Sequence, residues 1–173
     1  INGVSYAVPN LKEVRIYDIS AERAQALADE VNATGKLKAT VAPSAEAAVV
    51  GADIVVTATI TTTPYLKREW LKPGAFYGDI ASSDAELGVY ASYTDDWEQI
   101  KFHGAGTLVK GLKNGEIDES VVSGNLGEVV IGQKPGREPG DDLCIFKHIG
   151  MSVTDLPAAW CIYQSAKEMG LGT

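Results

Sequence analysis

The stretch Glu13-Val-Arg-Ile-Tyr-Asp18 decides how this chain reads. It is a short apolar-alternating run ending on an acid, and a helix signal follows at once. Ser20 is placed to cap Ala21 to Asn32, where Ala24, Leu27, Ala28 and Val31 recur at helical spacing. Gly35 then stops the helix. Strand, tight turn and helix in that order are the first half of a β-α-β unit.

Working outward, the same alternation continues. Leu37 to Ala42 reads as a second strand, and Ser44 caps a short helix ending at Gly51, with Glu46 in its first turn. Asp53-Ile-Val-Val-Thr-Ala58 is nearly all apolar, the pattern of a parallel strand covered on both faces. Pro64 to Gly74 is turn-rich, and Ala75-Phe-Tyr-Gly-Asp79 is a fourth strand ending on an acid. Asp84 to Ser92 reads as helical and Ile100-Lys-Phe-His103 as a strand. Gly104 to Gly140 carries short helices and glycine turns, Asp142 to His148 is the last strand, and Thr154 to Met169 reads as an amphipathic helix. Such an order predicts an α/β fold with a doubly wound, mostly parallel sheet, as one domain over residues 1–173.

Composition narrows the function classes. The chain has 173 residues, 45% hydrophobic, and a net charge of -8. Without clustered lysine and arginine, a nucleic-acid or anionic-membrane surface is not expected. No run of about eighteen apolar residues marks a membrane span, and the start has no signal-peptide pattern. The two cysteines, Cys144 and Cys161, form no CxxC pair, which predicts reduced, buried thiols in a cytoplasmic protein. Only two histidines occur, His103 and His148, so no zinc spacing exists and no metal site is expected.

The candidate site residues follow from the strand ends. At the end of the second strand of a dinucleotide-binding sheet, a carboxylate such as Asp18 accepts hydrogen bonds from ribose hydroxyls and repels a 2′-phosphate. Ile19 and Ser20 bring no arginine to receive such a phosphate, so NAD is favoured over NADP. The alternative is that Asp18 merely helps Ser20 cap the next helix. Thr57-Ala58-Thr59 closes the third strand with small residues that let a cofactor approach. Asp79 could exchange a proton with a substrate nitrogen, or could be a plain turn acid. The glycine-rich phosphate loop and its central strand are missing upstream, where Gly3 alone occurs, inside a helical stretch. The sheet is therefore expected to be incomplete at its first strand.

With these residues in place, the sequence resembles the ornithine cyclodeaminase / mu-crystallin family from about Leu11 to Thr173. The resemblance rests on Glu13 to Asp18, Gly51-Ala-Asp-Ile-Val-Val-Thr-Ala-Thr59, Leu66-Lys-Arg-Glu-Trp-Leu-Lys-Pro-Gly74, Leu126-Gly-Glu-Val-Val-Ile-Gly132, and Phe146-Lys-His-Ile-Gly150 with Asp155-Leu156. It implies an NAD(P)-dependent amino-acid dehydrogenase or cyclodeaminase acting on a small amino or imino acid, as a homo-oligomer. By position, Asp18 with Ile19 falls on the ribose-binding turn, and Thr57, Ala58 and Thr59 on the strand end lining the cofactor. Asp79 falls on the acid beside the substrate amino group, though Pro-Gly-Lys is usual after it where Ala81-Ser-Ser stands. His148 and Gly150 fall on the segment approaching the nicotinamide, where serine or threonine is commoner than His148. The family's N-terminal domain, with its substrate-binding arginine and lysine and much of the dimer interface, has no counterpart here. Two rival readings follow: a non-enzymatic, mu-crystallin-like nucleotide binder, and an inert structural fragment. The first would keep the cofactor contacts; the second would bind neither NADH nor NADPH.

Overall fold

In the computed structural model, residues 1–80, 84–86, 93–104, 106–138, 140 and 143–172 are described. The chain separates into two compact units, Ile1–Asp53 with Glu69–Lys72, and Ile54–Arg68 with Pro73–Thr173. Each is an α/β assembly with parallel strands, as the sequence pattern predicts.

The first unit opens with helix α1 (Asn2–Ala7), which contains Gly3. Strand β1 (Glu13–Ile16) pairs in parallel with β2 (Lys38–Val41), from Glu13 opposite Lys38 to Ile16 opposite Val41. Between them lies α2 (Ala21–Ala33), whose N-terminus is closed by the Ser20 hydroxyl accepting from the Arg23 amide at 3.4 Å. Ala24, Ala28 and Val31, spaced four and three apart, share one face of that helix. They bury against Ile16 and Ala39, with Val14, Leu37 and Val41 packed around them. Burying Ile16 and Val31 stabilises this layer by about 1.5–3 kcal/mol each. Leu27, the fourth residue of the helical pattern, stays 40% exposed.

Two polar staples hold the same layer. The Asn32 amide bonds both the carbonyl and the N–H of Ala39, at 3.0 and 2.8 Å. After β2 comes α3 (Ala45–Val49), capped by Ser44. Arg15 reaches from β1 to donate to the Ala47 and Val50 carbonyls at 2.9 and 2.8 Å, satisfying the end of that helix.

The second unit is a five-stranded parallel sheet. Its strands are β3 (Ile54–Thr57), β4 (Ala75–Asp79), β5 (Tyr93–Thr94), β6 (Gly124–Asn125) and β7 (Leu143–Lys147), in the order β3-β4-β7-β5-β6. Registry is tight at the carboxyl ends: Thr57 lies opposite Asp79, Asp79 opposite Lys147, and Lys147 opposite Thr94. Val55, Ala75, Tyr77, Cys144 and Ile145 are buried. On β3, however, Val56 is 47% exposed, so the strand is not covered on both faces as its composition suggests.

Helices α4 (Trp97–His103), α5 (Gly106–Lys113), α6 (Leu126–Val130) and α7 (Ser152–Glu168) complete the unit. The expected strand Ile100 to His103 is instead the end of α4. Asp96 caps that helix by accepting from the Gln99 amide at 3.0 Å, and Gly104 ends it with a left-handed φ of 68°. These local signals outweigh the β-favouring Ile and Phe in the short run. The expected helix Asp84 to Ser92 also differs, because Ala85 forms an isolated parallel bridge with Leu66. Residues 87–92 of that expectation lie outside the described residues.

Helix α7 forms as expected but buries none of its residues. Val153, Leu156, Trp160 and Tyr163, which make an i, i+3, i+7, i+10 stripe, are each more than half exposed. The expectation of two buried thiols is likewise half corrected. Cys144 is buried in β7, whereas Cys161 is exposed on α7. Among the described residues no helix is long and apolar enough to cross a membrane.

Candidate functional site

In the first unit, Asp18 lies two residues beyond β1 and is half-buried. Its Oδ1 accepts from the Ser20 N–H at 2.8 Å, folding the turn that aims the chain into α2. The alternative considered for Asp18, a turn residue assisting the cap, is therefore realised in part. Its other carboxylate oxygen has no hydrogen bond among the described residues. Ile19 beside it is 96% exposed, an apolar side chain laid open next to an acid.

In the second unit, charge collects at one edge of the sheet. Among the described residues, the buried charged side chains are Asp79, Asp84, Asp95 and Lys147. Asp79 and Lys147 end β4 and β7, and Asp95 follows β5 directly. Such burial is costly unless each charge is paired, so the clustering reflects a built arrangement. The carboxyl edge of a parallel sheet is also where open α/β folds bind ligands.

The pairing can be followed atom by atom. Lys147 Nζ donates to Asp79 Oδ2 at 2.6 Å, with both side chains under 7% exposed. Next in sequence, His148 is fixed by its backbone N–H to the Asp79 carbonyl at 2.9 Å. Asp95 then gathers the following loop, its Oδ2 accepting from the Ile149 and Gly150 amides at 2.9 and 2.8 Å. The same oxygen lies 2.9 Å from His148 Nδ1. Gly150 takes φ 91°, open to glycine but not readily to other residues. Among the described residues nothing lies within 4 Å of the position a Cβ would occupy there.

At the end of β3, Thr57 Oγ1 and the Tyr77 hydroxyl are 2.9 Å apart in the interior. Burial first, and then the nearby Asp79 carboxylate, push the Tyr77 phenol far above its usual range, against the opposing Thr57 hydrogen bond. Tyr77 is thus a neutral hydroxyl at all working pH. Ala58 and Thr59 are exposed, and the Thr59 hydroxyl donates to Asp84 Oδ1.

The structure thus brings Thr57, Asp79, His148 and Gly150 to one edge, with Ala58 and Thr59 continuing from it, whereas Asp18 and Ile19 belong to the first unit. Sequence reading missed Lys147, Asp95, Asp84 and Tyr77. A lysine closing the apolar run Cys144-Ile-Phe-Lys147 was a usable signal, since it must be paired if the strand is buried. Asp95 gave none, because the strand it follows is only two residues long.

Parallel strands joined through helices, with polar groups at the carboxyl edge, make a Rossmann-like fold. The model of the ornithine cyclodeaminase/mu-crystallin family matches residues 4–170, and the chain belongs to that family. It is 34% identical to the ketimine reductase mu-crystallin of Rattus norvegicus over 164 residues, covering 90% of this chain and 48% of that protein. The structure of Thermococcus litoralis Δ1-pyrroline-2-carboxylate reductase in complex with NADH and L-proline superposes with a TM-score of 0.89 at 25% identity, over 99% of this chain and 55% of that one. An archaeal alanine dehydrogenase dimer with bound NAD superposes at a TM-score of 0.83 and 26% identity, over 99% and 55% of the two chains. The chain spans about half the length of the curated relatives it matches.

Proposed function

We propose that this chain is the cofactor-binding part of an NAD-dependent oxidoreductase that interconverts a small α-amino acid and its imine. The observation that carries the reading is the concentration of buried charge, including the Lys147–Asp79 pair, at the carboxyl edge of β4, β7 and β5. Relatives that act on imino and amino acids, two of them seen with NADH or NAD, support it.

The residues present fit a dinucleotide. Asp18 has a carboxylate oxygen to spare for ribose hydroxyls, and exposed Ile19 offers an apolar surface for adenine. Neither Ile19 nor Ser20 is a cation that would favour a 2′-phosphate, so NAD is preferred to NADP. Thr57, Ala58 and Thr59 would line the nicotinamide half, with His148 and Gly150 approaching it. When bound, the cofactor supplies or accepts the hydride; the protein's part is placement and charge. Asp79, oriented by Lys147, is the carboxylate beside the substrate nitrogen, where it steadies a protonated amine. The complete protein would work as a cytoplasmic homodimer.

The test is direct. The complete protein carrying this domain, mixed with NADH and a cyclic or open-chain α-imino acid, should consume NADH and yield the amino acid. NADH binding without any turnover across a panel of imino acids would favour a mu-crystallin-like carrier instead.

A further inference from the structure

Asp95 is a buried carboxylate, 1% exposed at its side chain; its Oδ2 accepts from the Ile149 and Gly150 amides and lies 2.9 Å from His148 Nδ1. Its Oδ1 accepts from the Asp96 amide at 2.9 Å. To tie down the loop, the two amides and a carboxylate suffice, and position 148 needs no imidazole for that. Yet the residue is positioned at three points: its backbone N–H donates to the Asp79 carbonyl, its Nδ1 lies 2.9 Å from Asp95 Oδ2, and its ring stacks on Phe146 with centroids 6.2 Å apart and planes 23° from parallel. A ring that donates through Nδ1 carries its lone pair on Nε2. Nε2 has no hydrogen-bond partner among the described residues, and the side chain is 35% exposed. Among the described residues the charged group recorded against the ring is Asp95, and the Lys147–Asp79 pair lies at the adjoining strand ends.

We propose that His148 and Asp95 form a proton-transfer dyad for the substrate nitrogen, His148 exchanging the proton and Asp95 positioning its ring. The assignment rests on the amino-acid/imine reading above and adds a catalytic group to it. Asp79 is held by Lys147, whereas His148 Nε2 has no hydrogen-bond partner among the described residues and is open to a substrate. In the oxidative direction, a substrate R2CH–NH3+ loses one N–H proton to Nε2, giving imidazolium and a free amine. The carbon then gives its hydride to an oxidised nicotinamide, and the nitrogen lone pair closes the C=NH2+ bond. In reverse, hydride from a reduced nicotinamide reaches the iminium carbon and the imidazolium returns its proton to the amine. The Asp95 carboxylate keeps its charge throughout, stabilising the imidazolium while fixing the tautomer, the orienting role of a buried acid behind a catalytic histidine.

The experiment uses the complete protein with NADH and an α-imino acid that the parent reduces. In His148→Ala, kcat should fall about 10²–10⁴-fold, the range for losing a general acid–base group, and added imidazole should recover at least about tenfold. NADH affinity should fall far less than kcat does, which separates proton transfer from cofactor placement. Nitrogen-15 spectra, assigned by difference against His148→Ala, should show the His148 ring protonated at Nδ1 in the parent and a tautomer mixture in Asp95→Asn. This readout does not depend on turnover. His103→Ala should change nothing. A His148→Ala variant within about threefold of parental kcat overturns the proposal, as does a loss cured by His148→Gln but not by imidazole, the mark of a packing role. A parent that neither binds NADH nor reduces any imino acid removes the functional reading itself. A competent parent with an indifferent His148→Ala removes this assignment alone.

Discussion

Replacing Lys147 by methionine should strongly destabilise the second unit. The Lys147–Asp79 pair is 2.6 Å long, and its side chains are 6% and 5% exposed. Methionine fills a similar volume but leaves the Asp79 carboxylate buried beside an apolar chain. Breaking such a pair from one side costs about 3–5 kcal/mol, because the remaining charge loses its partner without regaining water. Asp79→Asn, which removes the carboxylate charge beside the ammonium instead, should cost a comparable amount. The double variant Asp79→Asn/Lys147→Met removes both charges and should return to within about 2 kcal/mol of the parent, since a neutral replacement of a buried pair is often harmless. The assay is urea unfolding followed by far-ultraviolet circular dichroism and by tryptophan fluorescence, with Trp97 buried in the same unit. Single changes costing under about 1 kcal/mol each and adding up in the double variant would refute the reasoning, because additivity means the two charges do not interact.

Three further outcomes follow from neighbouring features. Asp95→Asn should destabilise the loop after β7 by about 1.5–3 kcal/mol, the worth of hydrogen bonds to a charged acceptor, and speed amide exchange at Ile149 and Gly150; unchanged exchange there would contradict the clamp. Asp96→Ala should cost about 1 kcal/mol through loss of the α4 cap. The Asp96 carboxyl is held below its usual range, chiefly by the Gln99 backbone N–H. That contribution is full above the ordinary aspartate range and disappears as pH falls through the lowered value. The stability gap between parent and Asp96→Ala should therefore close in acid, and a gap that persists there would be evidence against the cap. Asp18→Asn keeps an acceptor for the Ser20 N–H while removing the charge, so stability should change by less than about 0.5 kcal/mol. NADH affinity should nonetheless drop about tenfold, and NADPH affinity less; equal loss would remove the ribose argument.

What the sequence made legible was what local chemistry controls. Ser20 and Ser44 cap the helices they were expected to cap, and Ala75 to Asp79 is a strand over the expected residues. Failures came where a short run lacked context. Ile100 to His103 has strand-like composition, but Asp96 before it and Gly104 after it close it as a helix. The apolar stripe on α7 was readable as a pattern, yet burial depends on what packs against it, and its residues are exposed. At the site, strand-end acids stood out because period and position mark them. Their partners did not, since Asp95 and Lys147 meet the His148 loop and Asp79 from sequence distances of about fifty and seventy residues.

The central claim is that this fold and its charged sheet edge serve a nicotinamide dinucleotide, and calorimetric titration with NADH and NADPH addresses it most directly. The account predicts saturable heat with NADH and weaker binding of NADPH, because a carboxylate at Asp18 would accept ribose hydroxyls and repel a 2′-phosphate. No heat with either nucleotide would contradict it.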